Sequence, residues 1–173
     1  MKLRPPCISN MKITDNFLPK EIHKELLDIL MGTEFPWYYQ DTLTHGSKDK
    51  EAFGFNHWVS KDTHPIFSKL AADMLSALDA RNVIRMRADM TILNPNSYQH
   101  KWHTDSDEPH TVCIYYVNNS DGDTLIRDNQ SERGYVRVSP KANRLLTFDG
   151  KHEHTGHSPT RHKNRILINA NFS

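Results

Sequence analysis

Hydrophobic residues recur at a helical period in two stretches of the first half of the chain. Residues 19–32 and residues 64–80 each place their apolar side chains on one helical stripe, and each stretch has a proline near its start. The stripe of the first stretch is formed by Ile22, Leu26, Ile29 and Leu30. The stripe of the second is formed by Phe67, Leu70, Ala71, Met74 and Leu78. The pattern predicts two amphipathic helices.

From residue 83 onward the hydrophobic period changes to two, which is the period of a β-strand. Residues 85–92 alternate between an apolar face of Met86, Ala88, Met90 and Ile92 and a polar face of Arg85, Arg87, Asp89 and Thr91. Residues 33–60 lack a clear period and predict loops with short strands. Turn-forming residues separate the further β-rich runs, which occupy residues 110–117, 123–128, 134–138, 144–148 and 165–172.

Two helices followed by seven or eight short strands predict a mainly β fold, a sandwich or jelly roll with the helices packed on one sheet. We predict a single domain over residues 1–173, with a helical N-terminal part over about 1–82 and a β core over about 83–173. Alternating βαβ units are absent, which disfavours a nucleotide-binding α/β fold. The sequence has neither a glycine-rich phosphate loop nor a G-x-S-x-G nucleophile elbow.

Charge and cysteine content narrow the function classes. The 22 Lys and Arg residues nearly balance the 21 Asp and Glu residues, which gives no basic footprint for nucleic acid and no polybasic membrane patch. The chain has no apolar run that could cross a bilayer, and its start, MKLRPPCISN, lacks the apolar core of a secretory signal. With only Cys7 and Cys113, we expect no disulfide framework, a buried Cys113 and a cytoplasmic location.

Histidine is the unusual residue of this chain, because seven of the 11 histidines fall between residues 100 and 162. His103 and Asp105 form an H-x-D pair whose side chains point to the same side of an extended segment. A second group, at 148–159, offers His152, His154 and His157, and Arg165 opens the last strand.

Two histidines and one carboxylate form the facial triad of non-haem Fe(II) oxygenases, which leaves three metal positions open for a co-substrate and O₂. In the largest such group the co-substrate is 2-oxoglutarate, and a strand-borne arginine suits its far carboxylate. Each piece alone has a simpler explanation as a chance motif or a solvated side chain. Their order strengthens the interpretation, because a hairpin turning near residues 158–161 would make His154 and Arg165 face each other across its arms.

Several stretches between about residues 85 and 172 resemble the 2-oxoglutarate/Fe(II)-dependent dioxygenases, specifically the prolyl-hydroxylase-like branch. These stretches are W-H-T-D, T-V-C-I-Y-Y-V-N, D-G-D-T, N-R-L-L-T-F-D-G, H-T-G-H-S-P and R-I-L-I-N. The opening I-T-D-N-F-L-P-K-E is similar to the start of such domains. The resemblance implies a double-stranded β-helix with iron in the barrel mouth. It also implies hydroxylation of a C–H bond with O₂, with ascorbate as a candidate stimulant.

The resemblance assigns roles to individual residues. His103 and Asp105 match the proximal iron ligands, and His154 matches the distal ligand. Arg165 matches the arginine that binds the 2-oxoglutarate tail, and Tyr116 matches the tyrosine that assists it.

Two further positions match the family less directly. Asn94 falls near another co-substrate contact of the relatives, and Thr124 matches a small residue for which packing is the expected role.

D-G-D-T lacks the first glycine of the usual motif, so that turn is expected to differ. His157 competes with His154 for the distal position, although His154 has the common spacing. His152 is expected to lie behind the metal ligands or to be exposed. His100 and His110 are expected to be exposed or near the site without binding metal.

Other function classes stay open at this point. A zinc site could use the same ligands, and a jelly roll could bind a partner without catalysis or be purely structural. Within the oxygenase class the substrate is a peptidyl proline, a free amino acid or another small molecule, whereas the near-neutral charge gives no support for a nucleobase. We expect specificity to be carried by residues 33–60, 94–101 and 106–110.

Overall fold

The computed structural model describes Ile8, residues 10–44 and residues 47–173, so Cys7 lies outside the described residues. It contains two α-helices, α1 (Lys20–Met31) and α2 (Pro65–Leu78), and a short 3₁₀ helix at Lys50–Ala52. The strands are β1 (Lys12–Asp15), β2 (Tyr38–Gln40), β3 (Gly54–Trp58), β4 (Val83–Ile92), β5 (Thr111–Tyr116), β6 (Thr124–Arg127), β7 (Tyr135–Val138), β8 (Arg144–Asp149), β9 (His154–Gly156) and β10 (Asn164–Phe172).

Both predicted helices are confirmed, and local chemistry explains their ends. Helix α1 begins directly after Pro19 and ends at Gly32, in keeping with the helix preferences of these two residues. Helix α2 is capped by His64, whose Nδ1 accepts a hydrogen bond from the Ile66 amide at 3.2 Å. It ends at Asp79, which adopts a left-handed backbone conformation. Neither helix is long and apolar enough to cross a bilayer, and this holds for every helix among the described residues.

The larger of two antiparallel sheets has seven strands in the order β1-β8-β5-β10-β4-β3-β2. Both helices pack on its outer face, because their apolar stripes and the outward-facing residues of β4, β5 and β10 form one buried cluster. On β4 and β10 this face is apolar, and its members are Met86, Ala88, Ile166, Ile168, Ala170 and Phe172. The predicted arrangement of helices on one sheet is therefore confirmed.

The smaller sheet has three strands in the order β7-β6-β9 and faces the inner side of the larger sheet. A second apolar cluster fills part of the space between the two sheets. It includes Val112, Ile114, Tyr116, Ile126, Val138, Leu146, Phe148 and Leu167. Two facing antiparallel sheets closed in this way make the predicted jelly-roll barrel, and Cys113 is buried as expected.

The structure corrects the predicted hairpin between His154 and Arg165. Strand β9 pairs with β6 in the small sheet, whereas β10 pairs with β4 and β5 in the large sheet. The two residues therefore do not lie on the arms of one hairpin, and residues 157–163 cross from one sheet to the other. The N-terminal part also contributes more than helices, because β1, β2 and β3 all extend the large sheet.

Asn143 fastens the chain before α1 to the sheet. Its backbone is left-handed, with φ of 62°, and its side chain exchanges two 2.8 Å hydrogen bonds with the Leu18 amide and carbonyl. The Asn143 Oδ1 also accepts from the Tyr115 hydroxyl at 3.0 Å. The amide and carbonyl of Leu18 therefore depend on the Asn143 side chain, whereas the Tyr115 hydroxyl also lies 2.7 Å from His23 Nδ1. An unpaired buried group is costly.

We predict that Asn143→Ala lowers the free energy of unfolding by about 4 kcal/mol, with about 1 kcal/mol for each of the three lost hydrogen bonds and about 1 kcal/mol for an alanine in the left-handed conformation. Asn16→Ala is the matched control, because Asn16 is also left-handed but exposed. The control should cost only the backbone penalty, about 1 kcal/mol. Urea denaturation of both variants measures the difference, and equal losses would contradict a role for the side-chain hydrogen bonds.

Candidate active site

His103, Asp105 and His154 come together between the two sheets. Each offers one donor atom, and these atoms lie within 4.8 Å of one another. His103 Nε2 is 3.7 Å from Asp105 Oδ1, and His154 Nε2 is 3.9 Å from Asp105 Oδ2. Backbone bonds of 3.1 Å and 2.9 Å in opposite directions hold His103 against His154. Two imidazoles and a carboxylate converging on one point are a donor set that suits a divalent transition metal.

Hydrogen bonds to backbone carbonyls fix the tautomers of the two histidines. His103 Nδ1 lies 3.0 Å from the Lys101 carbonyl, and His154 Nδ1 lies 3.4 Å from the His152 carbonyl. A carbonyl only accepts, so each Nδ1 must donate and each neutral ring presents its unprotonated Nε2 to the other ligands. Burial also lowers the pKa of His154 to about 4, which keeps the ring neutral at pH 7.

Asp105 is ionised in this setting. Burial opposes its charge, but His154 and Arg85 outweigh this effect, so that the pKa of Asp105 falls to about 2. Its side chain is only 4% exposed. The site therefore combines one fixed negative charge with two neutral nitrogen donors.

Arg165 lies deeper in the same barrel and is held by a small polar cluster. Its Nη2 donates to Thr124 Oγ1 at 2.8 Å, and the Tyr116 hydroxyl donates to the same oxygen at 2.7 Å. Gly156 makes room for the guanidinium, because a Cβ atom there would lie 3.2 Å from both terminal nitrogens. Gly122 makes room for the stem, because a Cβ atom there would lie 2.9 Å from Arg165 Cδ. Thr124 thus does more than pack.

An open cavity connects His103 and His154 with Arg165. Three of its buried lining residues, Thr91, His100 and Arg165, carry side-chain nitrogen or oxygen atoms without a hydrogen-bond partner among the described residues. Buried polar groups in folded proteins nearly always have partners. The cavity is therefore built for a polar ligand. Its walls also include the apolar Ile114 and Leu167.

The polar face of β4 lies inside the barrel opposite polar residues of β10. The antiparallel register pairs Thr91 with Arg165, Arg87 with Asn169 and Arg85 with Asn171. Arg87 Nε lies 2.7 Å from Asp89 Oδ1, so this pair neutralises itself. The alternation seen in the sequence therefore separates a helix-facing side of β4 from a side that lines the site.

The structure brings most of the sequence-predicted site residues together. His103, Asp105, His154, Arg165, Tyr116 and Thr124 form one connected group around the cavity. Asn94 is not part of it, because its side chain donates to Glu51 beside a separate cavity.

The other candidate histidines take different places. His157 points elsewhere, with its Nδ1 3.4 Å from the Asp123 carbonyl, and it does not line the cavity. His152 lies beside a neighbouring cavity with Asp128.

His100 is buried beside the cavity, where burial lowers its pKa to about 4, which is the second of the two places expected for it. Sequence reasoning missed three residues near the site. Arg85, Asn169 and Asn171 all approach Asp105. The period-two pattern of β4 and β10 was a usable signal, because these three residues occupy the face opposite the apolar one.

A family model described as the 2OG-Fe(II) oxygenase superfamily matches residues 90–173, the segment that holds the triad, Tyr116, Thr124 and Arg165. The match covers just under half of the chain, and it supports the predicted dioxygenase class and its requirement for Fe(II) and 2-oxoglutarate. The donor set and the polar cavity fit both groups, which are the metal and the co-substrate of the superfamily. A comparison with curated protein sequences gave no significant match.

Solved structures with the same fold include two prolyl hydroxylases and a protein that binds 2-oxoglutarate. A prolyl hydroxylase from Trichoplax adhaerens, in complex with a peptide of hypoxia inducible factor, aligns over 94% of this chain and 82% of its own, with a TM-score of 0.73 and 15% identity. A prolyl-4-hydroxylase from Pseudomonas putida aligns over 94% of this chain and 91% of its own, with a TM-score of 0.63 and 13% identity. HygX from Streptomyces hygroscopicus, with nickel and 2-oxoglutarate bound, aligns over 94% of this chain and 82% of its own, with a TM-score of 0.64 and 8% identity. The fold resemblance to the prolyl-hydroxylase-like branch is thus confirmed.

We predict that His154→Ala weakens Fe(II) binding by more than about 100-fold, because even the loss of a ligand's supporting partner costs 10–100-fold. His157→Ala, a nearby histidine outside the cavity, should change the affinity by less than about threefold, well below that range. Anaerobic titration of the metal-free variants with Fe(II) measures both. Loss of binding in His157→Ala with retention in His154→Ala would reverse the assignment of the distal ligand.

Proposed function

We propose that the protein hydroxylates a C–H bond of a peptidyl proline, with His103, Asp105 and His154 as Fe(II) ligands and Arg165 as the anchor of 2-oxoglutarate. The observation that carries this proposal is a cavity lined by both histidines of the triad and by a buried arginine with a nitrogen unpaired among the described residues. A zinc hydrolase would use the triad but would leave Arg165 and its polar cluster without a function. A non-catalytic jelly roll would leave both the triad and Arg165 without a function.

The ligand assignment follows from donor chemistry. His103, Asp105 and His154 would hold Fe(II) through two neutral nitrogen donors and one carboxylate, a donor set that leaves metal positions free for a co-substrate and O₂. The keto-acid end of 2-oxoglutarate would bind there. With both groups bound, the reaction converts 2-oxoglutarate, O₂ and a C–H bond to succinate, CO₂ and an alcohol.

The protein residues bind and orient the co-substrate. The guanidinium of Arg165 offers a planar pair of donors to the far carboxylate. Thr124 and Tyr116 restrict this guanidinium to one orientation through their shared hydrogen bonds. Ile114 and Leu167 supply apolar wall surface for the methylene carbons between the two ends. Burial of the arginine strengthens the charge pair, because water is excluded from it.

The proposed peptide substrate is supported by the surface around the triad. Trp58 is 56% exposed and stacks with Arg85 and Arg87, whose guanidinium carbons lie 5.9 Å and 5.6 Å from its ring centre. Trp102, the residue before His103, stacks with Arg127 at 3.9 Å. Two tryptophan–arginine pairs near the ligands suit a chain that lies across the surface. The fold is also that of two prolyl hydroxylases.

We predict that Arg165→Met weakens 2-oxoglutarate binding to the Fe(II)-loaded protein by about 100-fold, because a charge-assisted pair contributes about 1.5–3 kcal/mol. Arg161→Met is the matched control, since Arg161 is an exposed neighbour that pairs with Asp121. The control should leave the affinity unchanged. Anaerobic titration that follows the visible charge-transfer band of the chelated keto acid measures the affinity. Wild-type protein that binds Fe(II) but gives no band would refute the proposal.

The substrate class is tested by succinate release from 2-oxoglutarate with proline-containing peptides, with free proline and with other small molecules. We expect peptides to stimulate release and to gain the mass of one oxygen atom on proline, measured by mass spectrometry. Trp58→Ala should raise the peptide KM with little change in uncoupled turnover. Stimulation by small molecules alone would replace the peptide proposal with small-molecule hydroxylation.

A further inference from the structure

Asp105 differs from the two histidines in how the backbone holds it. His103 and His154 are joined by two backbone hydrogen bonds. Residues 104–107 lie in an irregular loop between β4 and β5, and their amides and carbonyls make no hydrogen bond with other described residues. The carboxylate is nevertheless almost completely buried. Its position must therefore come from contacts of its side chain.

Three side chains of the large sheet surround this carboxylate. Arg85 Nη2 lies 2.5 Å from Asp105 Oδ1. In the amide orientation that satisfies both neighbours, the Asn171 nitrogen donates to Asp105 Oδ2 at 3.1 Å and the Asn171 oxygen accepts from Arg85 Nε at 3.0 Å. Asn169 Nδ2 is a weaker neighbour, at 3.4 Å from Oδ2. Arg85, Asn171 and Asp105 thus form a closed ring of three hydrogen-bonded groups.

The two strand residues are themselves well placed to act as a support. Arg85 and Asn171 are directly opposite each other in the register of β4 and β10, which is the pair of strands with the longest ladder in the fold. Asn171 is buried, and the guanidinium of Arg85 packs near the Trp58 ring. A rigid strand pair therefore fixes a ligand that its own loop leaves free.

We propose that Arg85 and Asn171 are positioning residues that hold Asp105 in its metal-binding orientation. This inference rests on the proposed function, because it takes Asp105 as a ligand. Arg85 binds one carboxylate oxygen and so restricts the rotation that would turn the group away from the histidines. Supporting partners of this kind contribute about 10–100-fold to metal affinity.

The positive charge of Arg85 also repels a divalent cation, which opposes this contribution. Two features limit the repulsion. Asp105 already neutralises Arg85 at short range, and the arginine side chain is 24% exposed, so water screens its charge. Without Arg85, in contrast, a buried carboxylate on an unanchored loop would lose its only charged hydrogen-bond donor among the described residues. The loss of support should therefore outweigh the relief of repulsion.

The test is the affinity of the metal-free protein for Co(II), with Arg85→Met, Arg85→Lys and Arg87→Met compared with wild type. Methionine keeps most of the stem beside Trp58 but has no donor, and we expect about 10–100-fold weaker binding. Lysine keeps the charge and one donor but lacks the second contact to Asn171, so it should restore part of the affinity.

Arg87→Met is the matched control. Arg87 lies two residues along the same strand, on the same face and beside the same tryptophan, but it pairs with Asp89 instead of Asp105. We expect its Co(II) affinity to stay near that of wild type. A loss as large as that of Arg85→Met would mean a general effect of removing charge from β4 and would overturn the inference.

Three other results would also decide whether Arg85 and Asn171 position Asp105. Unchanged or tighter binding in Arg85→Met would show that repulsion equals or exceeds support, and the positioning role would be wrong. If Arg85→Met does not give a folded protein by circular dichroism, Asn171→Ala decides, because it removes the second hydrogen bond to Asp105 and the one that orients Arg85, and it should weaken binding less. If wild-type protein itself does not bind Co(II), the proposed metal site fails, and this result is distinct from failure of the positioning role.

Discussion

The structure depends on one constraint, which is the burial of a polar face between two sheets. Strands β4 and β10 turn their apolar sides toward the helices and their charged and amide side chains toward the barrel interior. Groups of this kind are costly to bury unless each is paired. Arg87 is paired with Asp89, and Arg85 with Asp105. Arg165 keeps a buried nitrogen without a hydrogen-bond partner among the described residues, at the cavity end of this face.

This constraint explains why the site is assembled from distant parts of the chain. The small sheet supplies His154, the segment before β5 supplies His103 and Asp105, and the large sheet supplies Arg165. Backbone pairing can hold the two histidines, because they form a bridge between two extended segments. It cannot hold the carboxylate, which needs side chains from the strands. The polar face thus lines the ligand cavity and also contacts the carboxylate of Asp105.

The sequence predicted the parts of this structure that depend on local pattern. Both helices, the alternation of β4 and the β-rich runs from residue 110 follow from spacing alone, and the H-x-D pair and Arg165 were recognisable from motif order. Strand partners were not, because pairing depends on residues far apart in the chain. The predicted hairpin between His154 and Arg165 was wrong for this reason: β9 joins β6, and the two residues meet across the barrel. The burial of His100 likewise results from the return of residues 155–156 beside it, which no local pattern encodes.

The bridge between His103 and His154 has a consequence for the purified protein. If the proposed ligands are correct, a bound ion cross-links the small sheet to a loop that is fastened to the large one. Ligand binding to the folded state alone adds RT ln(1 + [L]/Kd) to the free energy of unfolding. A protein sample with more bound metal should then be more resistant to heat and to protease. Preparations that differ only in chelator exposure would differ in apparent stability, although their sequences are identical.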